Sequence, residues 1–168
     1  GEPVSGADSD GANVNGHDGP QGQASRGPWQ VPVATCLVEP DGARTVVSPG
    51  ALTSDLRLSP AAHSALAEAR VLLVDGHHPC AAEEALTAIG PGTVVVLDAG
   101  SAKPRAQGWL DRIDVVAGSA DYAEGLGLPA LDAIEAVLAA GAGAAIITDG
   151  PGAVCWREAG SPRVFELV

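Results

Sequence analysis

Three segments of this chain share one pattern, in which a run of apolar and β-branched residues ends on an aspartate beside glycine. The segments are 71–78 (VLLVDGHH), 93–101 (TVVVLDAGS) and 145–152 (AIITDGPG). Continuous apolar runs of this length are typical of strands buried on both faces, which belong to parallel sheets covered by helices. Ligands bind such sheets at the carboxyl ends of the strands. We therefore expect Asp75, Asp98 and Asp149 to lie along one sheet edge, beside glycines that let a ligand approach the backbone.

Helical patterns alternate with these strands. Ser59 and Pro60 supply a capping hydroxyl and a first-turn proline for a helix that we expect to end at Ala69. Further helices are expected at 79–89, 104–112, 119–126 and 129–140, further strands at 114–116 and 144–148, and a terminal hairpin over 153–168. This alternation predicts an α/β fold with a right-handed, doubly wound, mostly parallel sheet and helices on both faces.

The residues before this α/β body differ in character. The first 28 are rich in Gly, Asp, Ser, Asn and Gln, which predicts a disordered, low-complexity tail. Residues 33–48 form two apolar runs around Pro40, Asp41 and Gly42, which predicts a small β hairpin. We therefore expect a tail at 1–28 and a domain at 29–168, the latter made of the hairpin and a body at 59–168.

Composition excludes several kinds of partner. The formal charge of −12, with only 9 Lys and Arg, argues against nucleic acid, which requires clustered cations. No apolar run is long enough to span a membrane. The three cysteines lack metal-ligand spacing and lie in or beside predicted core elements, so we interpret them as buried thiols of a reducing compartment. A cytoplasmic protein is the resulting expectation.

Two motifs that suggest ligand sites have simpler explanations. Gly141 and Gly143 resemble a dinucleotide fingerprint, but they end a helix and precede a strand, which is the reverse of the required order. His77, His78 and Cys80 suggest a metal site but lack a second ligand pair at useful spacing. No residue is therefore predicted as a metal ligand, and a phosphate or substrate contact is the better hypothesis for His77.

The segment from Thr148 to Gly152 is the strongest candidate for a binding loop. Two glycines and a hydroxyl follow a buried strand there, so backbone N–H groups could point outward towards a nucleotide phosphate. A plain tight turn into the following hairpin is the competing interpretation. Asp98 has a similar alternative, because Asp, Gly and Ser are ordinary residues of loops that cap a following helix.

Taken in order, these segments resemble the PfkB or ribokinase-like carbohydrate kinases, and more closely the branch that contains ketohexokinase. Residues 33–47 (VATCLVEPDGARTVV) resemble the lid hairpin that covers the sugar, and 94–104 (VVVLDAGSAKP) resemble the "D-x-G" strand of the central sheet. Residues 109–127 (WLDRIDVVAGSADYAEGLG) and 146–156 (IITDGPGAVCW) resemble a following conserved segment and the "vT.G..G" nucleotide loop. The resemblance runs from about Val33 to Val168 and implies a ribokinase-like fold with a β lid.

The resemblance implies that the full enzyme transfers the γ-phosphoryl group of ATP to a sugar hydroxyl, with Mg²⁺. Such transfer depends mainly on positioning and on neutralising charge. Thr148, Gly150 and Gly152 would then line the nucleotide site, His77 would face phosphate, and Asp98 would lie near the metal and the phosphates. Lid strands in this family often pair between subunits, which implies a possible homodimer.

The sequence also departs from the family pattern. Ser119 takes the place of the Asn in the family's "NxxE" motif, and Tyr122 takes the place of its Glu. The catalytic base of the family lies in a "DTxGAGD" motif that we expect beyond Val168, so no catalytic residue is predicted within this chain. We expect a partial kinase domain that is inactive alone. The alternative is a degenerate, non-catalytic nucleotide-binding or interaction module of the same fold.

Overall fold

A computed structural model of the chain describes residues 33–42, 44–48 and 56–167. The predicted low-complexity tail at 1–28 lies outside the described residues. The predicted hairpin is confirmed: β1 (Thr35–Val38) and β2 (Arg44–Val47) pair antiparallel, with Thr35 opposite Val47. Gly42 has a φ of 89° in the connecting turn, a left-handed conformation that favours glycine. All eight strand residues of this hairpin are exposed.

The body is built around a six-stranded sheet in the order β3-β4-β5-β6-β7-β8. Its strands are β3 (Val71–Val74), β4 (Val94–Ala99), β5 (Val115–Ser119), β6 (Ala144–Thr148), β7 (Val154–Glu158) and β8 (Phe165–Leu167). The first four strands run parallel, whereas β7 and β8 continue the sheet antiparallel. The predicted mostly parallel α/β sheet and its terminal hairpin are therefore confirmed.

One helix precedes the parallel strands, and the others lie in the connections between them. The helices are α1 (Pro60–Ala67), α2 (Pro79–Ala88), α3 (Pro104–Gln107), α4 (Ala120–Gly125) and α5 (Ala130–Ala139), with a short 3₁₀ turn at Leu110–Arg112. The helix predicted over 104–112 is thus interrupted. Its glycine, Gly108, ends α3 and donates its N–H to the Arg105 carbonyl, and the chain resumes as the 3₁₀ turn that carries buried Leu110. Glycine in a helix interior is unfavourable, which explains why the helix stops there.

In the described residues, the buried side chains of α2 to α5 other than Ala81 belong to one core, together with the buried residues of the sheet. Leu72, Val95, Leu97, Val116 and Ala145 supply this core from the sheet. The direction of winding explains why these side chains share one core: each crossover from β3 to β6 moves to the next strand on the same side. Because such crossovers are right-handed, all of them place their helices on the same face.

The opposite face of the sheet is apolar and exposed at its β3 end. Val71 and Leu73 are 58% and 64% exposed, whereas Leu72 between them is 9% exposed. At the other end, Trp156 on β7 stacks on Phe165 on β8, with ring centroids 4.3 Å apart. The alternation along β3 and β4 therefore separates a covered from an uncovered face, although the sequence is apolar throughout.

One further contact attaches α1 to α2. The carboxylate of Glu84 accepts the backbone N–H of Leu58 at 3.1 Å, and its other oxygen lies 3.0 Å from Nε2 of His63. The Leu58 N–H, followed by the hydrogen bond to His63, holds the pKa of Glu84 below its usual value. Hydrogen bonds to the charged form of a carboxyl have this effect.

The cysteine prediction was wrong in one respect. Cys36 is exposed, and Cys80 and Cys155 are only partly buried, so none is fully buried, although Cys155 packs against the core. Cys36 lies in the hairpin, whose strand residues all face solvent, and this explains its exposure. Among the described residues, no helix has the length and apolar character needed to cross a membrane.

Candidate functional site

The carboxyl ends of the four parallel strands meet at one edge of the sheet, which we call the rim. Asp75 directly follows β3, Asp98 is the penultimate residue of β4, and Asp149 directly follows β6. Ser119 at the end of β5 is paired in register with Thr148 at the end of β6. The sequence-based expectation that the three aspartates lie along one edge is confirmed, with β5 between Asp98 and Asp149.

The segment from Thr148 to Gly152 forms a tight turn between β6 and β7. Gly152 donates its N–H to the Asp149 carbonyl at 2.6 Å, so that donor is not directed outward. A Cβ on Gly152 would lie 2.9 Å from the same carbonyl oxygen, which leaves no room for a larger residue. The competing tight-turn interpretation is therefore observed, and the expectation that the Gly152 N–H is free was wrong.

Gly150 is the residue of this turn that remains open to a ligand. Its φ is 48°, and a Cβ built there would meet no atom within 4 Å. Its N–H makes no hydrogen bond to another described residue. Thr148 precedes it with an exposed side chain whose hydroxyl makes a long, 3.4 Å bond to the Gly118 carbonyl. A donor and a hydroxyl at the rim thus remain accessible to a ligand from solvent.

Ser119 has a structural role that the sequence did not separate from a ligand contact. Its Oγ accepts the N–H of Tyr122 at 3.3 Å and caps α4. The same hydroxyl donates to the Gly100 carbonyl at 3.1 Å, which joins the ends of β4 and β5. Both hydrogen-bonding functions of this hydroxyl are therefore used within the protein.

Tyr122 lies in the core rather than at the rim. Its side chain is 1% exposed, and its hydroxyl lies 3.2 Å from Nε2 and 3.3 Å from Oε1 of Gln107. Burial raises the pKa of this phenol above its ordinary value of 10.0, and the hydrogen bond to Gln107 opposes that rise. No carboxylate occupies this position.

The β3 end of the rim carries Asp75 and His77. The Asp75 carboxylate accepts the backbone N–H of His77 at 3.0 Å, a short-range turn that fixes the loop after β3. Both side chains are exposed, as is that of Asp98. His77, in the loop after β3, and Asp98, in the adjacent strand β4, therefore both lie at the rim.

Lys103 is a rim residue that the sequence analysis missed. It follows β4, and its stem packs against Gly76 after β3, with Cδ 3.0 Å from the position of a Cβ on that glycine. Its Nζ donates to Ser101 Oγ at 3.2 Å. It is also the single lysine of the chain, a signal that could have directed attention to it.

A cavity of about 450 Å³ lies beside the β6 end of the rim. Its wall combines Ile147, Asp149 and the acidic Glu124 with small and apolar residues of α4, of α5 and of the loop between them: Ala120, Ala123, Gly127, Leu128, Pro129 and Ala130. Apolar walls with a few polar groups are typical of small-molecule sites.

The carboxylates of the rim suit a magnesium ion that is also held by the phosphate oxygens of a ligand. Within the described ranges, no group of three or more His, Cys, Asp or Glu side chains is placed to hold a metal ion. Mg²⁺ commonly uses one or two carboxylates together with phosphate oxygens and water. The exposed Asp75, Asp98 and Asp149 are compatible with that arrangement, because each lies at the rim with its carboxylate accessible.

Solved structures with the same fold are sugar kinases. The chain superposes on ribokinase from Thermotoga maritima with a TM-score of 0.63 and 18% identity, covering 80% of this chain and 48% of that one. It superposes on a PfkB protein from Polaromonas sp. JS666 with a TM-score of 0.62 and 14% identity, covering 83% of this chain and 54% of that one. For an E. coli protein assigned as a ribokinase II and solved with ATP and Mg²⁺, the TM-score is 0.61 and the identity 17%. The match covers 80% of this chain and 49% of that one.

These likenesses establish the ribokinase-like fold of the chain. The chain spans about half the length of the structures it matches. No protein-family model matches the sequence, and no curated protein matches it either.

Proposed function

We propose that this chain is the nucleotide-binding part of a carbohydrate kinase, which transfers the γ-phosphoryl group of ATP, with Mg²⁺, to a sugar hydroxyl. The single observation that carries the proposal is the open turn at Gly150, which presents a left-handed, unhindered backbone at the end of a parallel strand. Strand ends of this kind are the usual place for ligands in such sheets. The ribokinase-like fold supports the same assignment.

In this proposal the chain binds and orients the nucleotide. The accessible N–H of Gly150 and the hydroxyl of Thr148 would contact phosphate, and the cavity beside Asp149 would take the nucleoside. Mg²⁺, when bound with ATP, would neutralise charge on the phosphates, and the exposed carboxylate of Asp98 is available near it. The base that deprotonates the sugar hydroxyl is proposed to come from polypeptide outside this chain.

The finer assignment to the ketohexokinase-like branch is also a proposal, which rests on the resemblance of the segments from Val33 to Val168 taken together. The hairpin exposes Leu37, Val38, Val46 and Val47, each at more than half of its surface. Isolated two-stranded hairpins are marginally stable, and exposed apolar side chains favour a covering partner. A sugar substrate or the hairpin of a second copy would provide such cover, in a protein that we propose is cytoplasmic.

Two observations favour a second candidate, a non-catalytic nucleotide-binding or interaction module of the same fold. Tyr122 is buried where the family pattern has a carboxylate, and the Gly152 N–H is used within its own turn. A module of this kind would keep nucleotide binding through Gly150 and Thr148 without phosphoryl transfer. Binding measurements on this chain therefore test what the two candidates share.

The proposal is tested by thermal unfolding of the 168-residue chain with and without magnesium-ATP. Ligand at about 100 times its Kd should stabilise the folded state by about 2.7 kcal/mol. In Gly150→Val, the added side chain would occupy the open space at the turn, so the nucleotide-dependent rise in Tm should be lost. The left-handed φ also costs the ligand-free variant about 2 kcal/mol of stability.

Gly160→Val is the matched control. Gly160 also has a left-handed φ, 74°, with no atom within 4 Å of a built Cβ, and it lies in the turn between β7 and β8. Because β7 runs antiparallel to β6, that turn lies at the edge opposite the rim. Gly160→Val should carry a similar strain and keep the ATP-dependent rise. An equal ATP-dependent rise in Tm in both variants would show that Gly150 does not contribute to the nucleotide site.

A further inference from the structure

Lys103 occupies an unusual electrostatic position. The chain has 21 acidic residues against 9 Lys and Arg, yet Lys103 forms no ion pair with a carboxylate in the part of the chain that the structure describes. Two arginines that follow Lys103 in the sequence are already engaged. Arg105 pairs with Glu83 at 2.9 Å, and Arg112 donates to the Leu86 carbonyl. The ammonium of Lys103 thus remains available to an anion.

The stem of Lys103 packs against the loop that follows β3. Gly76 has a φ of 73°, and its missing side chain leaves the space in which the aliphatic stem of Lys103 lies. This contact bridges the loops after β3 and β4. The Lys103 stem is half-buried, and Nζ reaches the exposed Ser101. Packing of the stem therefore holds the ammonium at the surface.

Other donors lie in the same loop. The backbone N–H groups of Ser101 and Ala102 donate to no acceptor among residues 56–167. Ser101 adds a hydroxyl that accepts from Lys103 and can donate its own proton to an anion. An ammonium, a hydroxyl and unused N–H groups are a donor set suited to a phosphoryl group.

We propose that Lys103 and Ser101 form a phosphoryl-binding site at the β3–β4 end of the rim. The site rests on the proposed function in one respect, since a nucleotide triphosphate is the phosphoryl source that we favour. Two strand spacings, about 10 Å, separate the ends of β4 and β6. A triphosphate held near Gly150 would extend along the rim towards Lys103. The exposed carboxylates of Asp75 and Asp98 favour a phosphate that carries Mg²⁺ over a bare one.

Because Lys103 is the only lysine, its chemical reactivity can be followed in the wild-type chain. Acetylation is measured by mass spectrometry on the tryptic peptide 71–105, which contains this lysine, and the α-amine of Gly1 serves as an internal reference. Separate samples contain magnesium-ATP, inorganic phosphate with magnesium, or adenosine. We expect magnesium-ATP to slow acetylation of Lys103 several-fold, whereas adenosine, which has no phosphate, should leave the rate unchanged.

The probes distinguish the sources of the phosphoryl group. Protection by magnesium-ATP at concentrations where phosphate has no effect assigns the site to the nucleotide. Protection by inorganic phosphate alone supports the site but assigns it to free phosphate or a phosphorylated acceptor. Unchanged acetylation in saturating ATP and in saturating phosphate overturns the proposal.

Substitutions provide a second measurement. Lys103→Met keeps the packed stem and removes the charge, so its ligand-free Tm should match wild type while affinity for magnesium-ATP falls about tenfold or more. Lys103→Arg keeps the charge and should retain most of the affinity. Arg163→Gln makes the same change in net charge at the opposite sheet edge and should have no effect. Equal affinity in wild type and Lys103→Met would contradict the proposal.

The nucleotide-binding function and the phosphoryl-binding site at Lys103 can be tested separately. If ATP stabilises the chain through Gly150 but does not protect Lys103, the phosphoryl site is wrong and the nucleotide-binding function stands. If phosphate protects Lys103 but Gly150→Val leaves the ATP response unchanged, the phosphoryl site stands and the nucleotide assignment of Gly150 is wrong.

Discussion

Tyr122 is a buried residue at a position where the sequence resemblance aligns a carboxylate. Its side chain fills the core, with its hydroxyl satisfied by Gln107. Burial of an uncharged phenol is favourable, and its ionisation in that environment is not. The position therefore contributes to stability and contributes no negative charge to the rim.

The raised pKa of Tyr122 leads to a pH-dependent prediction. Because the folded-state pKa exceeds the unfolded value of about 10, the stability that the neutral phenol supplies is fully present below pH 10 and is lost as the pH rises towards the folded pKa. Tyr122→Phe should cost about 1 kcal/mol at neutral pH, through the lost bond to Gln107. That difference from wild type should shrink above pH 10.

The chain has a single tyrosine, so ultraviolet titration of tyrosinate reports Tyr122 alone. The folded chain should titrate at higher pH than the chain in denaturant. Coincident titration curves would show that the hydroxyl is not buried.

Residue roles at the rim were only partly predictable from sequence. The position of Asp98 followed from strand pattern alone, because the end of an apolar run marks the end of a parallel strand. The roles of Ser119 and Gly152 did not follow, since a capping hydroxyl and a turn N–H look the same in sequence as ligand contacts. Lys103 depends on a packing contact with Gly76 across two loops, which local pattern does not contain.

At the level of elements, the order of the strands determines which face of the sheet is covered. Crossovers that all move in one direction placed the buried helix side chains of the described body, Ala81 apart, in one core. The apolar runs predicted the strands themselves well, and β6 matches its predicted range at 144–148. The apolar runs could not predict which face of the sheet the helices cover, because a fully apolar strand has no alternation that distinguishes its two faces.

Adjacent residues on β4 provide a matched test of this asymmetry. Val95 is 3% exposed and Val94 is 43% exposed. Val95→Ala should destabilise the chain by about 2 kcal/mol, through lost burial and a cavity, whereas Val94→Ala should cost less than about 1 kcal/mol. Urea unfolding of the two variants measures the difference. Equal losses would mean that the Val94 face is covered in solution.

At the scale of the whole molecule, the chain has a ribokinase-like α/β body and spans about half the length of the sugar kinases it resembles. Its rim carries an open turn at Gly150, a hydroxyl at Thr148 and the ammonium of Lys103, which forms no ion pair with another described residue. These groups occur where parallel sheets bind phosphate-containing ligands. We therefore expect a nucleotide polyphosphate to bind along this edge.

The most direct test is a magnesium-ATP titration of the ¹⁵N-labelled chain, followed by nuclear magnetic resonance of its backbone amides. We predict that the largest saturable shifts occur at Gly150 and in the loops that contain His77 and Ser101, with little change at Gly160 on the opposite edge. Shifts confined to the opposite edge, or no saturable shifts at millimolar ATP, would contradict the assignment of the rim as a nucleotide site.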